Sequence, residues 1–280
     1  MAQVQSIESH TLPRVEADTL PRISIVTISY NQKAFLRECI ESVLGQQYPR
    51  CEYIVIDAAS PDGSAEVVRD FGERIDRFIC EPDHGPADGL NKGFALAGGD
   101  VFGYINADDR LTPGALAFVA EYFAQHPDVD VLCGAIRIID EAGRASWRNR
   151  TADKFDPARY AARVCTVGQQ ATFFRRSAYS ACGGFNADNR ICWDGELLVD
   201  LALTGARFAT VRKILGDFRI YGASITGSGK FLDKLFSEHA RIARKIQEHG
   251  VPVYPPLSAA LHRFAYRLDL RRHLGYLTVR

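Results

Sequence analysis

From Ile23 to Tyr30 the chain reads ISIVTISY, a nearly unbroken run of β-branched residues that fits a strand buried on both faces. The apolar spacing then changes. Phe35, Leu36, Cys39, Ile40, Val43 and Leu44 form one helical stripe, which should end near Gly45 and before Pro49. The alternation repeats through a strand at Glu52 to Ala58, a turn SPDGS and a helix AEVVRDFG. It continues through a strand DRFICEPD, a short helix around LNKGFALAG and a strand VFGYINA. Strands and helices alternating across short loops predict right-handed crossovers and a mostly parallel central sheet flanked by helices, an α/β architecture.

A helix at Pro113 to Gln125 and a strand at Val129 to Asp140 continue the pattern, after which it weakens. A polar, Arg-rich stretch from Gly143 to Arg163 is followed by GQQATFFRRSAYSACGGF, a helix from Asp194 to Gly205 and an extended segment from Arg207 to Tyr221. This second part is expected to pack on the first sheet. The last fifty residues suggest two helices broken by GVPVYPP. The expected division is a disordered leader at 1–21, one catalytic domain at 22–228 and a helical extension at 229–280.

Composition narrows the classes of partner. Lys plus Arg and Asp plus Glu are both 34, so no overall field favours nucleic acid. The seven cysteines are scattered without a Cys-x-x-Cys pair, suggesting reduced thiols and a cytoplasmic location. No run approaches the ~18 apolar residues of a spanning helix. From Arg241 to Arg280 eight basic residues face two acids. Such basic helices could rest peripherally on an anionic membrane, or pack on the catalytic domain or a homodimer partner with their arginines solvated.

In parallel sheets ligands sit beyond the carboxyl ends of the strands. Tyr30 and Asn31, Asp57, and the cluster Asn106, Asp108 and Asp109 all lie there, so three segments should converge on one crevice. Two adjacent carboxylates repel unless a cation such as Mg²⁺ or Mn²⁺ offsets them and bridges to a diphosphate. The plainer alternative has Asp109 capping the next helix and Asp108 solvated.

The strings SIVTISYNQKAFLRECIESVLGQQYP, YIVIDAASPDGSAEVV, EPDHGPADGLNKGFALAGGDVFGYINADD, GQQATFFRRSAYSACGGF and WDGELLVDLALTGARF occur in that order. The series resembles glycosyltransferase family 2 over about Arg22 to Ser224. The resemblance implies a GT-A, Rossmann-like fold and inverting transfer from a nucleotide-sugar donor, a UDP-sugar, to a saccharide or lipid-linked saccharide in surface polysaccharide synthesis. Tyr30, Asn31, Asp57, Asp88, Lys92, Asn106 and Asp108 are then placed at the donor. Asp57 matches the carboxylate that meets the uracil, although the motif reads DAAS here. Asn106, Ala107 and Asp108 match the Asp-x-Asp metal motif, with asparagine first, and Asp109 follows as a second metal ligand. Asp194 matches the general base. By local sequence it could equally cap its helix.

Arg219, Tyr221 and Ser224 could reach the diphosphate or lie on a solvated edge strand. GASITGSGK fails the phosphate-loop spacing in every register and suits a flexible loop over the site. A nucleotidyltransferase should carry a glycine-rich loop where SYNQKAF stands. A non-catalytic binding subunit would draw on the departures at Ala58 and Asn106, against four retained acids.

Overall fold

The computed structural model describes residues 19–222, 224, 231–255, 258, 260, 261, 263 and 264. Nearly all of the expected leader, most of the loop after Tyr221 and most of the second C-terminal helix lie outside them.

β1 (Ile23–Ser29) sits between β2 (Cys51–Asp57) and β4 (Val101–Asn106), with β3 (Arg77–Cys80) beyond β2, and all four are parallel. Next to β4, β8 (Thr172–Arg175) runs antiparallel and pairs in turn with β6 (Val131–Ile139). β9 (Phe208–Arg219) follows β6 in parallel, β5 (Arg110–Leu111) closes the edge against β9, and β7 (Ala145–Arg150) forms a hairpin with β6. Of the nine strands among the described residues, β1 to β4, β6 and β9 share one direction, so the sheet is mostly parallel. The second half of the chain completes the same sheet.

Alternate side chains enter two apolar layers. Ile25, Tyr53, Val55 and Phe173 pack beneath α1 (Lys33–Leu44), α2 (Ser64–Arg69) and α4 (Ala115–Gln125). On the other face Val26, Ile54, Tyr104 and Phe174 meet α3 (Pro86–Leu96), α7 (Trp193–Leu203) and α8 (Leu232–Glu248). The predicted stripe on α1 is realised, with Leu36, Cys39, Ile40 and Val43 buried. The Arg-rich interruption holds β7 and the short α5 (Pro157–Ala161), and its polarity reflects a strand that pairs only with β6. The helix expected from Pro113 starts at Ala115, after Gly114 at φ 74°. Asp109 therefore caps nothing there. The short α6 (Arg176–Cys182) follows β8.

α8 is held against α7 by Glu196, which is fully buried. It accepts from Arg241 at 2.8 and 2.5 Å, Lys245 at 3.2 Å and Asn189 at 2.7 Å. Burial alone would raise this carboxyl, but the bonds from Arg241, Asn189 and Asn186 outweigh it and hold it at about 2. The stability it contributes is present above the ordinary value of 4.5 and lost as pH falls toward 2. Glu196→Ala should cost about 3 kcal/mol at pH 7, the low end for a broken buried pair because both cations are partly exposed. Thermal melts should show the gap between variant and parent narrowing as pH drops below 4.5.

Candidate active site

At the end of β1, Tyr30 is 60% exposed, offering a bare aromatic face. Asn31 adopts φ 55° and donates its amide to Ser60 Oγ at 2.9 Å. Ser60 in turn binds Asp57, its amide to Oδ1 at 2.7 Å and its hydroxyl to Oδ2 at 2.8 Å. These bonds hold Ala59 at φ 56°, a conformation alanine rarely takes unaided. Asp57 is fully buried and, through Ser60, joins the ends of β1 and β2. In α3, Asp88 accepts from the His84 amide at 2.9 Å, and Lys92 is shared between Glu81 at 3.0 Å, the Pro82 carbonyl at 3.0 Å and Asp88 at 3.7 Å. This pair shapes the loop beyond β3.

At the end of β4 the two carboxylates divide. Asp109 turns inward, accepting from the Arg219 amide at 2.9 Å through Oδ1 and from Gln170 and Gln169 at 2.8 and 3.2 Å through Oδ2. It is 1% exposed, and burial followed by the charge of Asp108 pushes its carboxyl well above the usual range. With both oxygens engaged by protein donors, Asp109 ties the corner to β9 and to the 169–171 turn. Asp108 faces outward, touched through Oδ2 by Tyr221 Oη at 3.3 Å, and burial raises it too.

Two residues earlier, Asn106 Oδ1 is buried with no partner among the described residues. A hard carboxylate and an orphaned neutral oxygen at one strand end are ligand types suited to a divalent cation. Among the described residues no group of three or more His, Cys, Asp or Glu could hold a metal.

Arg219 does not reach outward for a phosphate. Its guanidinium is 1% exposed, donating to the Asp108 carbonyl at 2.7 Å, the Asp140 and Glu141 carbonyls at 3.2 and 2.9 Å and Glu38 at 2.5 Å. Glu38 also pairs with Arg110, which reaches Asp217 at 2.8 Å. This network fixes α1, β5 and β9 around the acid corner. Tyr221 reaches Asp108, and Ser224 bonds back to the Tyr221 carbonyl at 2.8 Å.

Gly216 in β9 makes the corner possible, because a Cβ there would lie 2.4 Å from the Gln170 carbonyl. Gly216→Ala should displace the 169–171 turn and cost about 1–3 kcal/mol by overpacking. A thermal melt would register it.

Asp194 lies in the first turn of α7, after Cys192 in the capping position, and among the described residues accepts only from its neighbour Gly195 at 2.8 Å. It is therefore not the helix cap. It opens into a cleft of about 540 Å³ lined by Tyr104, Phe155, Tyr160, Arg163, Gln169, Leu197, Leu198, Phe236 and His239, among others. Burial among these groups raises its carboxyl. Tyr104 and Asn106 share one face of β4, and Gln169 both lines the cleft and binds Asp109. The metal-type corner and the Asp194 cleft are thus adjacent.

Sequence reading assigned no role to Gln169, Gln170, Glu38 or Arg110. Only Arg110, a cation directly after the two acids, left a local signal.

The sheet is an open, mostly parallel one of the GT-A type, with one outward acid at the β4 corner and a second, weakly bonded acid in the adjoining cleft. Residues 24–183 match the profile described as Glycosyl transferase family 2. An uncharacterized glycosyltransferase of Mycobacterium tuberculosis is 30% identical over 204 residues, covering 71% of this chain and 76% of that protein. The crystal structure of S. aureus TarS 1–349 in complex with UDP-GlcNAc is similar at TM-score 0.65 and 18% identity, over 91% of this chain and 73% of that one. The mannosyltransferase PcManGT from Pyrobaculum calidifontis, in complex with GDP-Man and Mn²⁺, is similar at TM-score 0.58 and 16% identity, over 92% and 85%. The chain belongs to glycosyltransferase family 2 and is a glycosyltransferase with the GT-A fold.

Proposed function

We propose that the protein transfers a sugar from a nucleotide diphosphate donor, a UDP-sugar, to a saccharide or lipid-linked saccharide acceptor with inversion, in surface polysaccharide synthesis. The observation that carries this reading is the juxtaposition of Asp108, the unpartnered Asn106 Oδ1 and the Asp194 cleft. A TarS structure holds UDP-GlcNAc and a mannosyltransferase structure holds GDP-Man with Mn²⁺, which supports a nucleotide-sugar and a divalent ion in this crevice.

In this reading the exposed Tyr30 ring stacks on the base, and Asn31 and Asp57 hold the loops around it. Asp88 and Lys92 form the wall nearest the donor sugar. Asp108, helped by Asn106, holds Mn²⁺ or Mg²⁺, while Asp109 fixes the corner from behind. The cation supplies positive charge against the leaving diphosphate. Asp194 takes the proton of the acceptor hydroxyl as that oxygen bonds to the anomeric carbon. The bond from that carbon to the diphosphate oxygen breaks on the opposite face, and the nucleoside diphosphate leaves with its electron pair. A single base and no covalent intermediate account for inversion.

Calorimetric titration with UDP, GDP and dTDP, each with and without Mn²⁺, tests the donor. Mn²⁺-dependent binding of UDP alone is the expected result. Preference for GDP would replace the base assignment, and no binding of any nucleotide by folded protein would overturn the reading.

A further inference from the structure

Asp194 has little of its own to hold it. Among the described residues its carboxylate accepts only from the adjacent Gly195 amide, and Cys192 in the capping position gives the helix no side-chain bond. Where the carboxylate sits therefore depends on how the first turn of α7 is fixed from outside. Two sets of contacts fix it, and both lead to α8. Asn189, 1% exposed, accepts from the Ile191 and Cys192 amides at 3.1 and 2.8 Å and donates to Glu196 at 2.7 Å. Glu196 passes that link on to Arg241 and Lys245 of α8. On the other flank Tyr160 presses on Gly195, where a Cβ would lie 2.1 Å from the tyrosine hydroxyl oxygen. The Tyr160 carbonyl lies 3.0 Å from His239 Nε2 of α8, and the two rings stack at 5.1 Å. Elsewhere α8 packs through apolar residues, with Ile242 and Ile246 fully buried. Replacing a buried ion pair by apolar residues often leaves stability unchanged or improved, so cohesion alone does not call for Glu196 here. A directional network of several bonds instead fixes register, and register at residue 196 sets position at residue 194.

We propose that α8 belongs to the catalytic apparatus. Arg241, acting through Glu196 and Asn189, and His239, acting through Tyr160, are positioning residues for Asp194. This rests on the reading of Asp194 as the base, and it adds a helix beyond the 24–183 family match to what the reaction needs.

The test is a double-substitution cycle in the full-length protein, with UDP released from UDP-GlcNAc as the rate and water as the attacking hydroxyl. Arg241→Gln should lower kcat by about 10–10²-fold, the usual cost of a misplacement near 1 Å. KM for the donor and Mn²⁺-dependent UDP binding should stay at parental values, and Arg241→Lys should recover part of the loss. In an Asp194→Asn background Arg241→Gln should cost less than about twofold more, since nothing is left to position. Val68→Ala, buried on the opposite face of the sheet, supplies a loss of melting temperature for comparison and should leave kcat unchanged. Amide exchange, which needs no substrate, should quicken over residues 191–198 in Arg241→Gln and keep its parental rate over 101–109. Additive losses in the cycle, or unchanged exchange in the α7 turn, would overturn the proposal. Lys245→Gln runs the same cycle should Arg241→Gln bind no UDP. Parental release by Asp194→Asn would sink the base reading itself, whereas loss of release there with parental kcat in Arg241→Gln sinks only the role of α8.

Discussion

Asp194→Asn should lower kcat by about three orders of magnitude while leaving the affinity for nucleotide nearly unchanged. The size follows from the usual contribution of a positioned general base, about 10²–10⁴-fold. The amide keeps the shape and can still accept from Gly195, so the helix start survives, but it cannot take up the acceptor proton. Stopped assays of sugar transfer, paired with calorimetry of donor binding, separate the two effects. Transfer at the parental rate would remove Asp194 from the base role. The parent's pH profile gives a second check. Burial raises the Asp194 carboxyl, and the base must be ionised to work. The acid limb should therefore fall at higher pH than the ordinary aspartate value of about 4, and activity should be lost as pH drops through it.

The second large effect is expected from Asp108→Ala. In the proposed metal site this carboxylate is the outward member of the acid pair, and its removal would leave only the neutral Asn106 Oδ1 toward the cation. Mn²⁺ should then strengthen nucleotide binding by less than about twofold, and transfer should fall by about 10²-fold or more as charge on the leaving diphosphate goes unopposed. The variant should fold, because the bonds from the corner to Arg219, Gln169 and Gln170 run through Asp109 and through the Asp108 carbonyl rather than its side chain. Asp109→Ala is the informative contrast. It should lower the melting temperature before it alters the metal dependence, since it strips the partner from three buried donors. Titration of UDP with and without Mn²⁺, alongside a melt of each variant, distinguishes the roles.

Much of this arrangement was legible in the chain. The switch from β-branched runs to helical stripes located β1, α1, β2 and β4, because those periodicities are local consequences of burial. The same reasoning put Asn31, Asp57, Asn106 and Asp108 at strand ends on one side of the sheet. What could not be read was the division of labour between neighbours. Asp108 and Asp109 are chemically identical in sequence. They differ because Gln170 and the Arg219 amide, 61 and 110 residues away, take the oxygens of one and not the other. Arg219 could be read as reaching the diphosphate or lying on a solvated edge, until Glu38, 181 residues away, and three carbonyls are seen to hold it. No spacing rule encodes contacts at such separations. Glu196 was likewise invisible within a largely apolar helix, since its cationic partners arrive from α8.

The placement of β8 has a consequence for how such a catalyst can diversify. This strand runs against its neighbours between β4 and β6 and brings the chain back across the sheet before α7 begins. In the proposed reading the donor-side acids come before residue 110, and Asp194 with most of the cleft wall after residue 154. The two substrates would then be addressed by separate lengths of polypeptide that meet through Gln169 and Tyr104. Recombination near β8 could exchange what is glycosylated without rebuilding what is donated, a form of evolutionary modularity contained in one continuous sheet.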